Sequence, residues 1–160
     1  MRRRALWVAV LLAGCEVGGP VDSSTFDPQL PPAGDSSLKG WLQNNYYQAW
    51  RCEQTAHDPA PPSPHGRNRV CHNDLLVANE GSAELPVDVA SVQELVGPDG
   101  LVVGFTVSRK VRPGTQDSSW YWYERVRFQV YVDGEAVRVC SSCHSTATGD
   151  FVFSRATPAN

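Results

Sequence analysis

Methionine is almost missing from this chain: Met1 is the only one. A chain without internal methionine has no thioether to offer a metal, and none of the flexible sulfur side chains that fill irregular cores. Lysine is nearly as scarce, confined to Lys39 and Lys110. The 14 Lys and Arg are outnumbered by 17 Asp and Glu, and three of the arginines stand together at Arg2, Arg3 and Arg4. The remainder is acidic and carries no basic patch, which excludes a nucleic-acid surface. Long hydrophobic runs are missing too. The apolar stretch Ala5 to Ala13 falls short of the roughly 18 residues that a membrane-spanning helix needs.

That stretch follows the three arginines, so residues 1–14 read as an export signal. It ends in Leu12-Ala13-Gly14-Cys15, which resembles the lipobox of bacterial lipoproteins. The resemblance implies cleavage before Cys15 and a diacylglycerol on its thiol, since several acyl chains anchor far better than one. The alternative is an ordinary secretory signal with a chance cysteine. Glu16 stands where an aspartate would signal inner-membrane retention. The expected location is therefore the cell envelope, facing the periplasm, on the outer membrane. Residues 15–35, rich in Gly, Pro, Ser and Asp, read as a flexible tether. Residues 36–160 are long enough for a single domain.

Export places the chain in an oxidising compartment, where unpaired cysteines are unusual. Five cysteines are present. With Cys15 assigned to lipid, Cys140 and Cys143 share one motif, and Cys52 and Cys71 remain as a disulfide pair. Closing that loop would contribute about 3 kcal/mol in the chain-entropy account. Two free thiols are the alternative.

The sharpest signal is Cys140-Ser141-Ser142-Cys143-His144. Two thiols two residues apart can add to the vinyl groups of one porphyrin, and the histidine that follows can ligate its iron. The cofactor expected is one covalent haem c, with His144 as the metal ligand. A C-x-x-C can instead be a redox disulfide, but that belongs to a βαβ unit, and none is legible here. It can be half of a zinc site, but no second half is present. A structural disulfide would leave His144 without a role. On the far side of the iron, a methionine ligand is impossible once Met1 leaves with the signal. An open or water-occupied position is expected, with His57, His65, His72, Lys39 and Lys110 as alternative ligands. His65 lies in a proline-rich loop that could reach that side.

The expected fold class is α+β: an antiparallel β-meander with an N-terminal helix and short flanking helices. Ser36 or Ser37 caps a helix that carries Leu38, Trp41, Leu42, Asn45, Tyr46, Ala49 and Trp50 at helical spacing and fades near Glu53 to His57. Residues 58–66 form a loop, Arg69 to Cys71 a short strand, and Asn73-Asp74 caps a brief helix through Asn79. Val89 to Val96 and Leu101 to Val111 flank the turn Gly97-Pro98-Asp99-Gly100. Trp120 to Val132 reads as one long strand, Asp133-Gly134 as a turn, and Glu135 to Val139 as the last strand. Trp120, Trp122 and Phe128 are expected to fill the core, some of them lining the haem pocket.

Several segments then resemble one family in their order. Ser91-Val92-Gln93-Glu94-Leu95, Gly104 with Val107 to Val111, Trp120-Tyr121-Trp122-Tyr123-Glu124, and Cys140 to His144 followed by Asp150-Phe151-Val152-Phe153 are similar to the cytochrome P-460 family and the related cytochromes c′-beta. The resemblance covers about Leu38 to Phe153. It implies a mainly antiparallel sheet, usually dimeric, holding a five-coordinate haem c that oxidises hydroxylamine or binds nitric oxide and similar ligands. Two departures stand out. Gln93 occupies the place of the lysine that cross-links the haem ring in the hydroxylamine-oxidising members. Thr106 occupies the place of their distal carboxylate and cannot act as a general base at neutral pH. Lys110 is expected on another strand face. The expectation is thus a haem c protein that binds a small diatomic or nitrogenous ligand, or exchanges electrons with a redox partner protein, possible as a homodimer. A hydroxylamine or nitric oxide oxidoreductase, a weak peroxidase and a haem-less disulfide-bonded interaction domain are the alternatives.

Overall fold

The computed structural model describes residues 27–59 and 63–153. The segment expected to be a signal and Cys15, expected to carry lipid, lie outside the described residues. No helix among the described residues is long and apolar enough to cross a membrane. The protein is α+β: a six-stranded sheet whose strands lie in chain order, each antiparallel to its neighbours, with helices on both faces.

The first helix, α1, spans Asp35–Gln43 and buries Leu38, Trp41 and Leu42 on one side. Its N-cap is Gly34 rather than a serine, and no side chain caps it. Asp35 supplies a negative charge to the first turn, where the helix dipole favours one. The expected long helix stops early. Asn45 takes a left-handed conformation, φ 56, which asparagine tolerates better than most residues. The chain re-enters a single 3₁₀ turn at Tyr46–Ala49. The segment before α1, read as tether, lies against the domain. Arg109 donates to the Pro31 carbonyl, Trp41 to that of Pro28, and the Gly34 amide to the Tyr121 hydroxyl.

Strand β1 (Arg51–Cys52) pairs with β2 (Asn68–His72) so that Cys52 stands opposite Cys71, and the two form the expected disulfide. Helix α2 spans Asp74–Ala78; its Asn73 cap accepts from the Leu76 amide at 3.0 Å. Strands β3 (Ala90–Val96) and β4 (Val102–Lys110) follow on either side of the predicted Gly97–Gly100 turn.

The expected long strand is two strands. β5 spans Trp120–Val126, the chain turns at Arg127 and Phe128, and β6 runs Gln129–Glu135. Phe128 therefore sits at a hairpin tip with 94% of its surface exposed instead of filling the core. Asp133 and Gly134 lie inside β6, which Glu135 ends, and the expected strand through Val139 does not form. The chain turns through Ala136, φ 53, into α3, Arg138–His144.

Alternation along the strands sorts the side chains into two layers. On one face Cys71, Val92, Val107, Tyr121 and Tyr123 pack under α1 and the 3₁₀ turn. On the other, Val89, Trp120, Trp122 and Val132 pack with Leu76 and Leu85, and with Phe151 beyond α3.

Candidate functional site

The C-x-x-C-H motif lies on α3, where Cys140, Cys143 and His144 stand at positions i, i+3 and i+4 and so share one side of the helix. Arg138 and Val139, read from sequence as the end of a last strand, open this helix instead. Both cysteines are half-buried free thiols. A thiol poised for disulfide exchange is acidified by its surroundings. Cys140 goes the other way: burial first, and then the charge of Glu124, push it up to about 11. This disfavours a redox-disulfide role.

His144 is oriented by the chain that follows it. Its Nδ1 lies 2.8 Å from the Phe151 carbonyl oxygen. A carbonyl can only accept, so the proton sits on Nδ1 and the Nε2 lone pair is left to bind a metal. Burial favours the neutral ring by lowering its pKa, and the nearby His65 adds to this. The imidazole rests against Trp122, ring centres 4.6 Å apart, and against Phe153 at 5.2 Å.

The Phe151 carbonyl is presented by a tight turn, Gly149 to Val152, closed by the Val152 amide on the Gly149 carbonyl at 2.7 Å. Both central residues have positive φ, Asp150 at 32 and Phe151 at 67. Such turns favour Asn-Gly or Asp-Gly, and a side chain like that of Phe151 in this conformation costs about 1–3 kcal/mol. Asp150 fixes the turn. Its carboxylate, fully buried, takes the Lys110 ammonium, the Leu85 amide at 2.8 Å and the Trp120 indole N–H at 3.4 Å. Lys110 is therefore on the same strand face as Thr106, four residues along, and not on another face as expected. Its charge is committed to Asp150, with Glu84 at 3.9 Å.

Gln93, Thr106 and Glu124 are Cα partners across β3, β4 and β5. They form one row on the face that carries Trp122. The Thr106 hydroxyl donates to Gln93 Oε1 at 3.0 Å, so the two residues read from sequence as pocket positions do meet. All three are only half-buried, whereas the row behind, Val92, Val107 and Tyr123, is closed off by α1. Glu124 is a carboxylate that the sequence reading passed over. The sheet register irregularity between Glu124 and Arg125 is the kind of feature that re-aims side chains. Burial raises the Glu124 pKa, and His65 Nδ1 lies 3.9 Å from its Oε2. Burial lowers the His65 pKa. Two-residue alternation from Trp120 through Trp122 was the signal that could have put Glu124 on this face.

The other candidate ligands stand elsewhere. His57 is engaged by Glu53 at 3.0 Å and the Asp58 carbonyl at 2.9 Å. His72 is fully buried beside Glu80. Lys39 is exposed on α1, the helix of the opposite layer.

Among the described residues, no group of three or more His, Cys, Asp or Glu could hold a metal ion. A porphyrin iron needs no such cage, because the ring supplies four ligands and the protein one imidazole. The residues present fit that group. Two free thiols, which could attach the ring, and an imidazole with its Nε2 left to bind iron share one helix side. Trp122 Nε1 is moreover a buried donor with no partner among the described residues, an orphan that the polar edge of a cofactor would satisfy. Trp50 Nε1, in the opposite layer, is likewise unpartnered, and nothing in the structure explains it.

No protein-family model matches the chain, and no curated protein is significantly similar to it.

Proposed function

We propose that this protein is a monohaem c-type cytochrome of the bacterial cell envelope, of the cytochrome P-460 and cytochrome c′-beta kind, anchored through lipid on Cys15. Cys140 and Cys143 attach the ring and His144 ligates the iron. The antiparallel meander with its leading helix is the scaffold, and Gln93, Thr106, Glu124 and His65 line the face beside the motif. When bound, a haem held by these residues would supply a redox-active iron able to take a small diatomic or nitrogenous ligand and to exchange electrons with a redox partner protein.

The observation that carries this reading is the His144 imidazole. It has a thiol on each of two helix positions beside it, its Nδ1 bonded to the Phe151 carbonyl, and its Nε2 left to bind a metal. The chain contributes a neutral, oriented ligand and a covered hydrophobic wall of Trp120, Trp122 and Phe151. The sixth position is tested by adding carbon monoxide to the reduced protein. An open site binds it promptly and the spectrum shifts; a spectrum unmoved by saturating gas means that a protein side chain already occupies that position.

A second reading, a hydroxylamine or nitric oxide oxidoreductase, is favoured by one observation: Glu124 offers on β5 a carboxylate that Thr106 lacks on β4, next to His65. Turnover of hydroxylamine with an electron acceptor, lost in Glu124→Gln, would make it the better account.

A further inference from the structure

We propose that the buried Lys110–Asp150 ion pair is a positioning device for the haem's axial histidine, setting the strength of the bond between His144 and the iron. The inference rests on the haem reading above and deepens it.

The chain of contacts is short. Lys110 comes from the end of β4, Asp150 from the turn after α3, and both side chains are completely buried. One residue beyond Asp150 stands the carbonyl that accepts from His144 Nδ1. The turn between them is disfavoured at Phe151, a bulky side chain held at φ 67. Left to itself, the segment would relax and carry the Phe151 carbonyl away from the imidazole. Three donors on the Asp150 carboxylate, from Lys110, Leu85 and Trp120, prevent this. The Phe151 ring adds packing against Trp120 and Trp122 at centre separations of 6.2 and 6.3 Å.

An ion pair is a poor choice if only stability is wanted. Two charges lose their hydration on burial, and an apolar pair of the same volume often serves as well. A charged pair does fix direction. It holds the carboxylate at one point, and with it the carbonyl one residue along. A histidine whose far nitrogen donates to a fixed carbonyl is a more basic ligand, and such outer partners tune the metal. A more basic imidazole favours the ferric state. Lys110 and Asp150 therefore act on the iron through Phe151 and His144 without touching it.

The test uses the mature, haem-loaded protein. A pyridine haemochrome assay comes first; absence of haem from the unaltered protein would defeat the haem reading itself, independently of the ion pair. With haem present, the double variant Lys110→Met/Asp150→Asn removes both charges while keeping an acceptor for the Leu85 amide. The expected result is a full haem complement, a lowered iron–histidine stretching frequency in the reduced protein, and a ferrous-to-ferric ratio at fixed potential raised about tenfold, or about 59 mV for a one-electron couple. Lower melting temperature with unchanged stretch and unchanged potential would overturn the proposal, because a merely structural pair moves only the first. Should the double variant fail to mature, the His144 Nδ1 proton of the unaltered reduced protein decides. Slow exchange into heavy water agrees with a carbonyl held in place; exchange complete at the first spectrum contradicts it.

Discussion

Trp120 and Phe128 are both large aromatic residues in the same run of sequence, yet they do opposite work. Trp120 is 1% exposed, packs against Trp122 and Phe151, and donates to Asp150. Phe128 is 94% exposed at the tip of the β5–β6 hairpin. Trp120→Ala should cost about 3–5 kcal/mol of stability, as large-to-small changes in a packed core do. Phe128→Ser should stay within about 0.5 kcal/mol, as surface changes do. Chemical denaturation of the two variants checks this, and equal losses would mean that the hairpin tip is buried in solution. The same scale explains why Glu124 and Asp150 escaped the sequence reading. Each is one carboxylate among many, and what distinguishes them is a neighbour far along the chain: His65 and Cys140 for one, Lys110 for the other.

Elements were legible where a local signal is strong, and misplaced where a single backbone angle decides. The Asn73 cap and the Gly97–Gly100 turn lie as read, because side-chain capping and glycine turns are local chemistry. The break of the first helix at Asn45 and the turn at Arg127, φ 55, leave no comparable mark on composition. A run of β-branched and aromatic residues looks the same whether it is one strand or two, so β5 and β6 read as one, and Arg138 and Val139, which open α3, read as the end of a strand. The docking of α1 depends on Asp35, whose carboxylate accepts from the Tyr123 hydroxyl at 2.7 Å and from Arg125 at 2.8 Å. The Tyr123 hydrogen bond, followed by Arg125, holds the Asp35 carboxyl below its ordinary value of 3.8. A depressed carboxyl stabilises the fold above its unfolded value, and that contribution fades as pH falls through the folded one. The melting temperature of the unaltered protein should therefore exceed that of Asp35→Asn near neutrality, with the gap closing as pH drops below 3.8. A gap that stays constant with pH would remove the carboxylate from the docking of α1.

At the scale of the whole molecule, one sheet separates two tasks. The face under α1 is closed by aromatic packing and the ion pair of Arg69 with Glu94 at 2.7 Å, the latter joined by the Tyr47 hydroxyl. The disulfide fastens the short edge strand β1 to β2. The other face carries the half-buried row Gln93, Thr106 and Glu124, and at its end Glu124 lies near Cys140 of α3, the helix with the two thiols and the oriented imidazole. The proposed function requires that this face receive a covalently attached haem. The most direct measurement is a pyridine haemochrome spectrum with intact mass, taken on protein exported by a host that matures c-type cytochromes. The expected result is the spectrum of a ring joined by two thioethers and the mass of one added haem. Colourless protein, with Cys140 and Cys143 recovered as free thiols or as a disulfide, would contradict it.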